Sequence, residues 1–258
     1  MSSPLQVGTF NVRWANPADG EHLWERRRAR LLALLNAWKP DVLGLQEPLA
    51  SQLSDIQNAL PDYAKVGIGR EDGVEAGEFC PIFYRPNRFE RISDGTFWFS
   101  ETPEVPGSRA WNSSHPRICT WVELKERESG EAFRIYNLHW DHESQEARRN
   151  SSLLLREVLR PVLGPFIVLG DFNAHADNPA IADLTTLGPA AWQSALSPGQ
   201  QREPGTFHGF TGIPTEPPID HILLSPEWKV LDAEVLYGDG KRPFLSDHFP
   251  VAATVQRL

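Results

Sequence analysis

FIVLGDFNAH, residues 166–175, places an acid and an amide, Asp171 and Asn173, directly after an apolar run. A short apolar run bounded by turn residues is typical of a buried strand. A helix pattern over residues 143–163 precedes this run, and a strand pattern over 133–140 precedes the helix. The order strand, helix, strand is typical of an α/β unit.

The same order occurs earlier in the chain. Strand patterns over 5–12 and 41–47 flank a helix pattern over 22–38, which Pro40 ends. A stretch rich in Pro and Gly over residues 197–218 predicts a long surface loop. Further strand patterns, with a hairpin turn at 127–131, lie at 64–70, 78–85, 89–100, 117–126, 219–225 and 246–256.

These patterns together predict an α/β (α+β) fold. Two mixed sheets are expected to pack face to face with helices outside them, which gives a four-layer sandwich. No change in composition marks a linker, so we expect a single domain over residues 1–258.

Polar side chains stand where several of the predicted strands end or begin. The carboxyl-terminal ends of four strands carry Asn11, Glu47, His139 and Asp171. The beginnings of the last two strands carry Asp220, Asp247 and His248. If these last two strands run antiparallel to their neighbours, all of these side chains meet on one rim of the fold.

The chemistry of these residues indicates a metal and a phosphate. Carboxylates and amides without cysteine suit a hard cation such as Mg²⁺ or Mn²⁺. His139 and His248 suit a phosphate group. Hydrolysis of a phosphate ester requires mainly charge stabilisation and a positioned water, which this combination would supply.

The chain resembles the endonuclease/exonuclease/phosphatase superfamily in six motifs, namely TFNVRW, GLQE, NLHWDH, GDFNA, IDHILLS and SDHFPV. They occur in the family's order and approximate spacing over residues 7–251. That superfamily includes the pancreatic-type deoxyribonuclease, deadenylases and inositol polyphosphate phosphatases. Longer stretches such as GEFCPIFYR resemble a bacterial subgroup of metal-dependent hydrolases. The resemblance implies a deoxyribonuclease-like sandwich and divalent-metal phosphoester hydrolysis.

The resemblance also implies roles for the acids and amides. Glu47 matches the principal Mg²⁺ ligand, Asn11 beside it is expected to contact both the metal and the substrate, and Asp247 matches a metal ligand or its neighbour. Asp171 matches the acid that orients or deprotonates the attacking water. Asn173 matches the amide that holds a phosphate oxygen.

The histidines match phosphate-contacting groups. His248 corresponds to the histidine at the scissile phosphate, and Asp220 to the acid that orients it. His139 corresponds to the second phosphate-binding histidine, and Glu78 resembles its carboxylate partner.

Two loop residues are further candidates for substrate binding. Arg109 and Trp111 lie in the aromatic segment 96–111 and could contact a phosphate and a ring-shaped group, with plain packing as the alternative. The segment 205–210, GTFHGF, raises the same possibility for Phe207, His208 and Phe210.

Two other features have simpler interpretations. Asp141 and His142 are explained as well by a solvated helix start as by substrate contact. The basic run at residues 25–30 is expected to be a solvated helix face rather than a phosphate-binding patch.

Composition limits the function classes. The net charge of −9 and the isoelectric point near 5.4 lower the probability of a nuclease, because proteins that track nucleic acid usually carry a basic surface. The two cysteines, Cys80 and Cys119, are expected to be buried free thiols rather than a disulfide. We find no signal peptide and no membrane-spanning run, and expect a cytoplasmic monomer with no membrane partner.

The sequence leaves three functions open. The first is a metal-dependent phosphodiesterase or phosphatase that acts on a small phosphorylated molecule. The second is a nuclease or 3'-5' RNA exonuclease of the same fold. The third, a non-catalytic binding protein, is disfavoured because every matched acid is present.

Overall fold

The computed structural model describes residues 3–161, 164–186 and 192–258 of the chain. The strands, numbered in chain order, are β1 (Leu5–Asn11), β2 (Val42–Gln46), β3 (Ala64–Val66), β4 (Ile82–Tyr84), β5 (Phe89–Trp98), β6 (Ile118–Glu126), β7 (Ala132–His139), β8 (Phe166–Asp171), β9 (Gln193–Ser194), β10 (Asp220–Leu224), β11 (Trp228–Val235) and β12 (Val251–Arg257). The helices are α1 (Trp24–Trp38), α2 (Ala50–Ala59), α3 (Gln145–Leu159) and α4 (Pro179–Thr186), with 3₁₀ turns at Gly20–His22 and Gln200–Arg202. Among the described residues, none of the helices has the length and apolar character that a bilayer crossing requires.

The strands form two mixed sheets of six strands each. The orders are β11-β12-β1-β2-β4-β3 and β5-β6-β7-β8-β10-β9. In the first sheet β1 is parallel to β2 and antiparallel to β12. In the second, β7 is parallel to β8, and β10 is antiparallel to β8. Each sheet therefore contains a parallel pair joined by a crossover helix, α1 or α3, and a later strand that returns beside it in the opposite direction.

The sheets pack face to face because side chains alternate between the two faces of each strand. In β8, Ile167 and Leu169 belong to the core between the sheets. Val168 instead packs in the cluster that includes Leu155 of α3 and Ile181 of α4. Helices α1 and α2 cover the outer face of the first sheet in the same way. The predicted four-layer sandwich is confirmed.

A buried polar layer crosses the space between the sheets next to the rim. The Gln46 amide nitrogen donates to Thr9 Oγ1 at 3.0 Å and to Asn137 Oδ1 at 2.6 Å. Asn137 Nδ2 donates to the carbonyl oxygens of Leu45 and Pro81 at 2.8 and 2.9 Å. Since Asn137 belongs to β7 and Gln46 to β2, these bonds link the two sheets and fix their relative position near the rim.

Several predicted elements have shorter bounds in the structure. The last strand begins at Val251 rather than at 246, so Asp247 and His248 lie in the segment before it. The predicted helix over 143–163 is observed over Gln145–Leu159, and residues 162–163 lie outside the described residues. The elements that the sequence did not predict are α2, α4, the short β9 and β11.

Other predictions agree with the structure. Cys80 and Cys119 are free and buried. The turn at 127–131 joins β6 to β7, and residues 197–218 form a loop apart from one 3₁₀ turn.

Gly44 of β2 is expected to be required for the close approach of the sheets. A Cβ atom there would lie 2.0 Å from Leu169 Cδ1 and 2.8 Å from Asn137 Cγ. Gly44→Ala should therefore lower the free energy of unfolding by about 1–3 kcal/mol, as overpacking of a core does. Chemical denaturation measures this, with Gly199→Ala as the control, because its Cβ would meet only Ser197 Oγ at 3.9 Å. Equal stability of the two variants would contradict the tight packing described.

Candidate active site

Four predicted site residues stand at strand ends on the faces between the sheets. Asn11, His139 and Asp171 are the last residues of β1, β7 and β8, and Asp220 is the first residue of β10. The strand register places His139 and Asp220 on either side of Asp171. All four are buried. The antiparallel direction of β10 thus brings Asp220 to the rim where the parallel strands end, as the sequence predicted.

Asn11 joins the two sheets at this rim. Its Nδ2 donates to Glu47 Oε1 and to Asp171 Oδ2, both at 2.9 Å. Its amide oxygen accepts from the backbone N–H of Arg13 at 2.9 Å. Asn11 therefore positions the two carboxylates, and its oxygen uses one of its two lone pairs on the Arg13 backbone.

Glu47 has an unusual backbone conformation. Its φ of +71° lies in the left-handed region, where a residue with a Cβ is strained. Its second carboxylate oxygen accepts from the backbone N–H of Trp14 at 3.0 Å. Strain of this kind persists only where the surrounding structure imposes it, and it concentrates at functional sites.

Asp171 is flanked by two imidazoles. Its Oδ2 atom lies 3.6 Å from Nε2 of His139 and 3.7 Å from Nε2 of His248. Burial, and then the negative charge of Asp220, raise the pKa of Asp171 to about 7. A carboxylate with such a pKa can take up a proton near neutral pH, which is the requirement for a general base.

His248 is held by Asp220. Nδ1 of His248 lies 2.8 Å from Asp220 Oδ2. Burial disfavours the imidazolium, but the charge and hydrogen bond of Asp220, followed by the charges of Asp171 and Asp247, raise the pKa of His248 to about 10. His248 is therefore protonated at neutral pH.

Asp171, Asp220 and His248 present ligand atoms within 4.8 Å of one another, a spacing that a metal ion could occupy. We instead assign these three residues to a carboxylate–imidazolium–carboxylate arrangement. A protonated imidazole has no free nitrogen lone pair to offer a cation, and the 2.8 Å contact with Asp220 already engages Nδ1.

His139 stands in a different environment. Burial, followed by the positive charges of Arg117 and Arg70, lowers the pKa of His139 well below its usual value, so this imidazole is neutral. Glu78, the carboxylate matched to His139 in the sequence, lies beside it without a hydrogen bond, since His139 Nδ1 is 3.9 Å from Glu78 Oε2. Glu78 instead forms an ion pair with Arg70.

Asn173 and Asp247 complete the rim. Asn173 adopts φ +47°, donates through Nδ2 to the Trp140 carbonyl at 2.9 Å, and donates through its backbone N–H to Asp171 Oδ1 at 2.9 Å. Burial raises the pKa of Asp247, and repulsion by Glu47 adds to this, against the opposing charges of His248 and Arg13.

These side chains surround one cleft of about 420 Å³. Its lining residues are Arg13, Trp14, Glu47, Arg70, Glu78, His115, Arg117, His139, His142, Asp171, Asn173, Phe207, Ile219, Asp247 and His248. A larger cavity of about 710 Å³ lies between α1 and the segment 234–250 and shares only His248 with the cleft. The smaller cleft is the candidate active site, because the buried carboxylates meet there.

The structure places Arg109 and Trp111 away from the cleft lining. The Arg109 guanidinium donates to the Ser114 carbonyl at 3.0 Å, and Trp111 packs against the core cluster beneath α3. The contacts of Trp111 therefore correspond to the packing alternative. From the segment 205–210, Phe207 alone lines the cleft, with its ring 5.1 Å from that of His248.

Asp141 and His142 differ in role, since one belongs to the helix start and the other lines the cleft. Asp141 is a structural acid: its Oδ1 accepts the backbone N–H groups of Glu143 and Ser144 at the start of α3. His142 lines the cleft.

Sequence reasoning missed several lining residues. Arg13, Trp14, Arg70, His115 and Arg117 all lie in or beside loops. The sequence could have indicated three of them only by their position beside predicted features, since Arg13 and Trp14 belong to the motif TFNVRW and Arg117 begins a predicted strand.

The prediction that residues 25–30 form a solvated face is wrong for Arg27. This side chain is fully buried. Its guanidinium donates to the backbone carbonyls of Val12, Arg13, Trp14, His22 and Leu245. Arg27 therefore ties the chain after β1 to the segment that precedes Asp247 and His248.

Comparison with known proteins identifies the family of the chain. The model of the Endonuclease/Exonuclease/phosphatase family matches residues 8–248. Members of this family hydrolyse phosphate ester bonds, so the fold and the site define a hydrolase class. The chain belongs to the endonuclease/exonuclease/phosphatase family.

Solved bacterial structures resemble the whole chain. The endonuclease/exonuclease/phosphatase from Bacteroides vulgatus is 33% identical, with a TM-score of 0.91 and 100% of both chains covered. A mannosyl-6-phosphatase from Bacteroides thetaiotaomicron is also 33% identical, with a TM-score of 0.88 over 98% of this chain and 99% of that one.

A curated relative resembles part of the chain. An uncharacterized protein of Acanthamoeba polyphaga mimivirus is 31% identical over 159 residues, which are 58% of this chain and 59% of that protein. The chain thus spans about three fifths of the length of this relative.

Loss of the Arg27 side chain is expected to destabilise the rim. Arg27→Met should lower the free energy of unfolding by about 2–3 kcal/mol, because it leaves buried carbonyl oxygens without donors. Arg28→Met is the matched control, because the Arg28 side chain is 49% exposed and sits on the same helix. Chemical denaturation of both variants measures the difference, and equal stabilities would contradict the role of Arg27.

The ion pair between His248 and Asp220 is expected to make stability depend on pH. Because the folded pKa of about 10 lies above the ordinary value, the contribution is complete below about pH 6.5 and is lost as the pH rises toward the folded pKa. Asp220→Asn removes the charge that raises this pKa. In metal-free protein the variant should lose less stability than the wild type between about pH 7 and pH 9.

Urea denaturation across this range tests the prediction. The exposed Asp232→Asn serves as the control and should keep the wild-type slope. An unchanged slope in Asp220→Asn would show that His248 is not held as an imidazolium.

Proposed function

We propose that the protein is a divalent-metal-dependent phosphoesterase that hydrolyses a phosphate ester of a small organic molecule by in-line attack of an activated water. The observation that carries this proposal is the position of Asp171. Its carboxylate is tied to Glu47 through Asn11 and lies between the imidazoles of His139 and His248. This position supports the proposal, because it puts the acid proposed as proton acceptor beside the acid proposed to bind the cation and beside the two imidazoles proposed to contact the phosphate.

Glu47 and Asp247 have the chemistry expected of ligands for Mg²⁺ or Mn²⁺. Carboxylate oxygens are the donors that these ions prefer. Burial, and then repulsion by Glu47, raise the pKa of Asp247, and a bound cation would offset that repulsion. Asn11 would position Glu47 and could bind the same ion, because its amide oxygen accepts one hydrogen bond from the Arg13 backbone and keeps a second lone pair. A bound ion would supply positive charge to the phosphate oxygens.

The other residues would act on the water and the phosphate. Asp171 would accept the proton of the attacking water. His248, protonated and oriented by Asp220, would donate from Nε2 to a phosphate oxygen as negative charge develops there. Nδ2 of Asn173 has a second hydrogen beyond the one given to Trp140 and would donate it to another phosphate oxygen.

Three features support a small substrate. The cleft of about 420 Å³ has the size of a small-molecule site. The net charge of −9 disfavours the phosphate tracking that a polynucleotide substrate requires. One similar structure is named a mannosyl-6-phosphatase. A nuclease or 3'-5' RNA exonuclease of the same fold is the alternative.

The sequence-based expectations about the whole protein stay predictions. These are a monomeric state, a cytoplasmic location and a single domain over residues 1–258. Size-exclusion chromatography with light scattering measures the first of them.

Asp171→Asn tests the catalytic assignment. Phosphate monoesters, phosphate diesters, nucleotides and oligonucleotides are assayed with Mg²⁺ and with Mn²⁺. The wild type should hydrolyse at least one small phosphate ester, and EDTA should abolish this activity. The variant should lose several orders of magnitude in kcat, because the acceptor for the water proton is gone.

A matched variant makes this test specific. Asp177→Asn changes an exposed acid on the same loop and should keep wild-type activity. Equal turnover by Asp171→Asn would contradict the proposal, and turnover of oligonucleotides alone would establish the nuclease alternative.

A further inference from the structure

Two arginines line the cleft and are almost completely buried. Arg70 is 6% exposed and Arg117 is 4% exposed. Arg70 comes from the loop between β3 and β4 of the first sheet, whereas Arg117 immediately precedes β6 of the second. Burial of two guanidinium groups in one cleft is costly unless negative charge compensates both of them.

The protein supplies only part of that compensation. Arg70 pairs with Glu78, but its Nε is buried without a hydrogen-bond partner. Burial, and then repulsion by Glu47, raise the pKa of Glu78 to about 7.

Arg117 is similarly incomplete. Its Nε lies 3.4 Å from Asp141 Oδ2, and one terminal nitrogen lies 2.8 Å from Nδ1 of His142. Since a guanidinium can only donate, Nδ1 of His142 is the acceptor in this contact. Asp141 also accepts from the Ser114 hydroxyl and backbone N–H. Within the described ranges, the other terminal nitrogen of Arg117 has no protein partner.

The two arginines lie close to His139, the neutral histidine next to Asp171. Glu78 connects Arg70 to His139, because it pairs with Arg70 and its Oε2 lies 3.9 Å from His139 Nδ1, while the charge of Arg117 acts on His139 directly. His139 Nδ1 is itself buried without a hydrogen-bond partner. Two guanidinium groups and two buried nitrogens without hydrogen-bond partners thus line one cleft of a protein whose net charge is −9.

We propose that Arg70 and Arg117 bind the non-bridging oxygens of a terminal, dianionic phosphate and thereby make the protein a phosphomonoesterase. This inference rests on the proposed function and specifies its substrate class. A monoester offers two negative charges and three free oxygens, which match the two guanidinium groups. A diester offers one charge, and its second substituent would place carbon against buried cations.

The experiment compares p-nitrophenyl phosphate with methyl p-nitrophenyl phosphate, which share a leaving group and differ in charge. Arg117→Gln and Arg70→Gln should each lower kcat/KM for the monoester about 10- to 100-fold, the effect of losing one charge-assisted hydrogen bond. For the diester the change should stay below about threefold, since a monoanion gains less from each cation. Ratios of variant to wild type cancel the intrinsic reactivity of each ester.

Two controls address charge and folding. Arg149→Gln removes an exposed arginine of α3 and should leave both substrates unaffected. Arg117→Lys and Arg70→Lys keep the positive charge but lose the planar guanidinium that donates two parallel hydrogen bonds. Their kcat/KM for the monoester should therefore lie between the values of the wild type and of the glutamine variants. A thermal melt of each variant identifies loss of folding. The comparison of the two esters in the wild type, which should prefer the monoester, tests the inference without any variant.

The outcomes separate this inference from the proposed function. Equal losses for both esters, or a wild-type preference for the diester, would overturn the inference while hydrolysis itself remained. If the wild type hydrolysed neither ester, the proposed function would fail on these substrates. Calorimetric titration with monomethyl and dimethyl phosphate at about pH 8, where a monoester is dianionic, would then test the inference. The inference predicts that monomethyl phosphate binds more tightly than dimethyl phosphate and that Arg117→Gln weakens its binding. Equal affinities for the two phosphates would overturn the inference.

Discussion

The amide of Asn11 is the contact on which the site depends. It donates to Glu47 at the end of a strand in one sheet and to Asp171 at the end of a strand in the other, at 2.9 Å in each case. Packing of two sheets face to face does not by itself align a carboxylate of one sheet with a carboxylate of the other. The Asn11 bridge, together with the buried layer of Gln46 and Asn137 behind it, fixes that alignment.

The rim is an arrangement of buried like charges held in balance. Asp171, Asp220 and Asp247 crowd around His248, whose imidazolium offsets part of their repulsion. In the same cleft, the charges of Arg70 and Arg117 are offset only in part by Glu78 and Asp141. The cleft therefore holds carboxylates that suit a cation as well as guanidinium groups that suit an anion, which is the combination that a metal-assisted attack on phosphate requires.

The sequence predicted the strand-end residues because their positions follow from local pattern. Apolar runs have a period and an end, and Asn11, His139 and Asp171 stand at those ends on one face of each strand. The sequence analysis named Arg109 as a substrate-binding candidate and missed Arg117, although both belong to the loop between β5 and β6. In that loop Trp111 and Asn112 adopt φ of +56° and +58°, which changes the direction of the chain between the two arginines. No local pattern specifies such a turn.

Burial of polar groups was equally invisible in the sequence. Arg27 reads as one of several solvated arginines, and only the distant carbonyls that meet around it make its burial favourable. The edge strand β11 was missed because its solvent-facing side chains interrupt the apolar pattern.

The position of a bound ion tests the account most directly. A crystal soaked in Mn²⁺, with data collected at the manganese absorption edge, locates that ion by its anomalous signal. The account predicts an ion in contact with Glu47 and Asp247, with His248 still paired to Asp220. An ion held instead by Asp171, Asp220 and His248, or a cleft that binds no ion at saturating Mn²⁺, would contradict it.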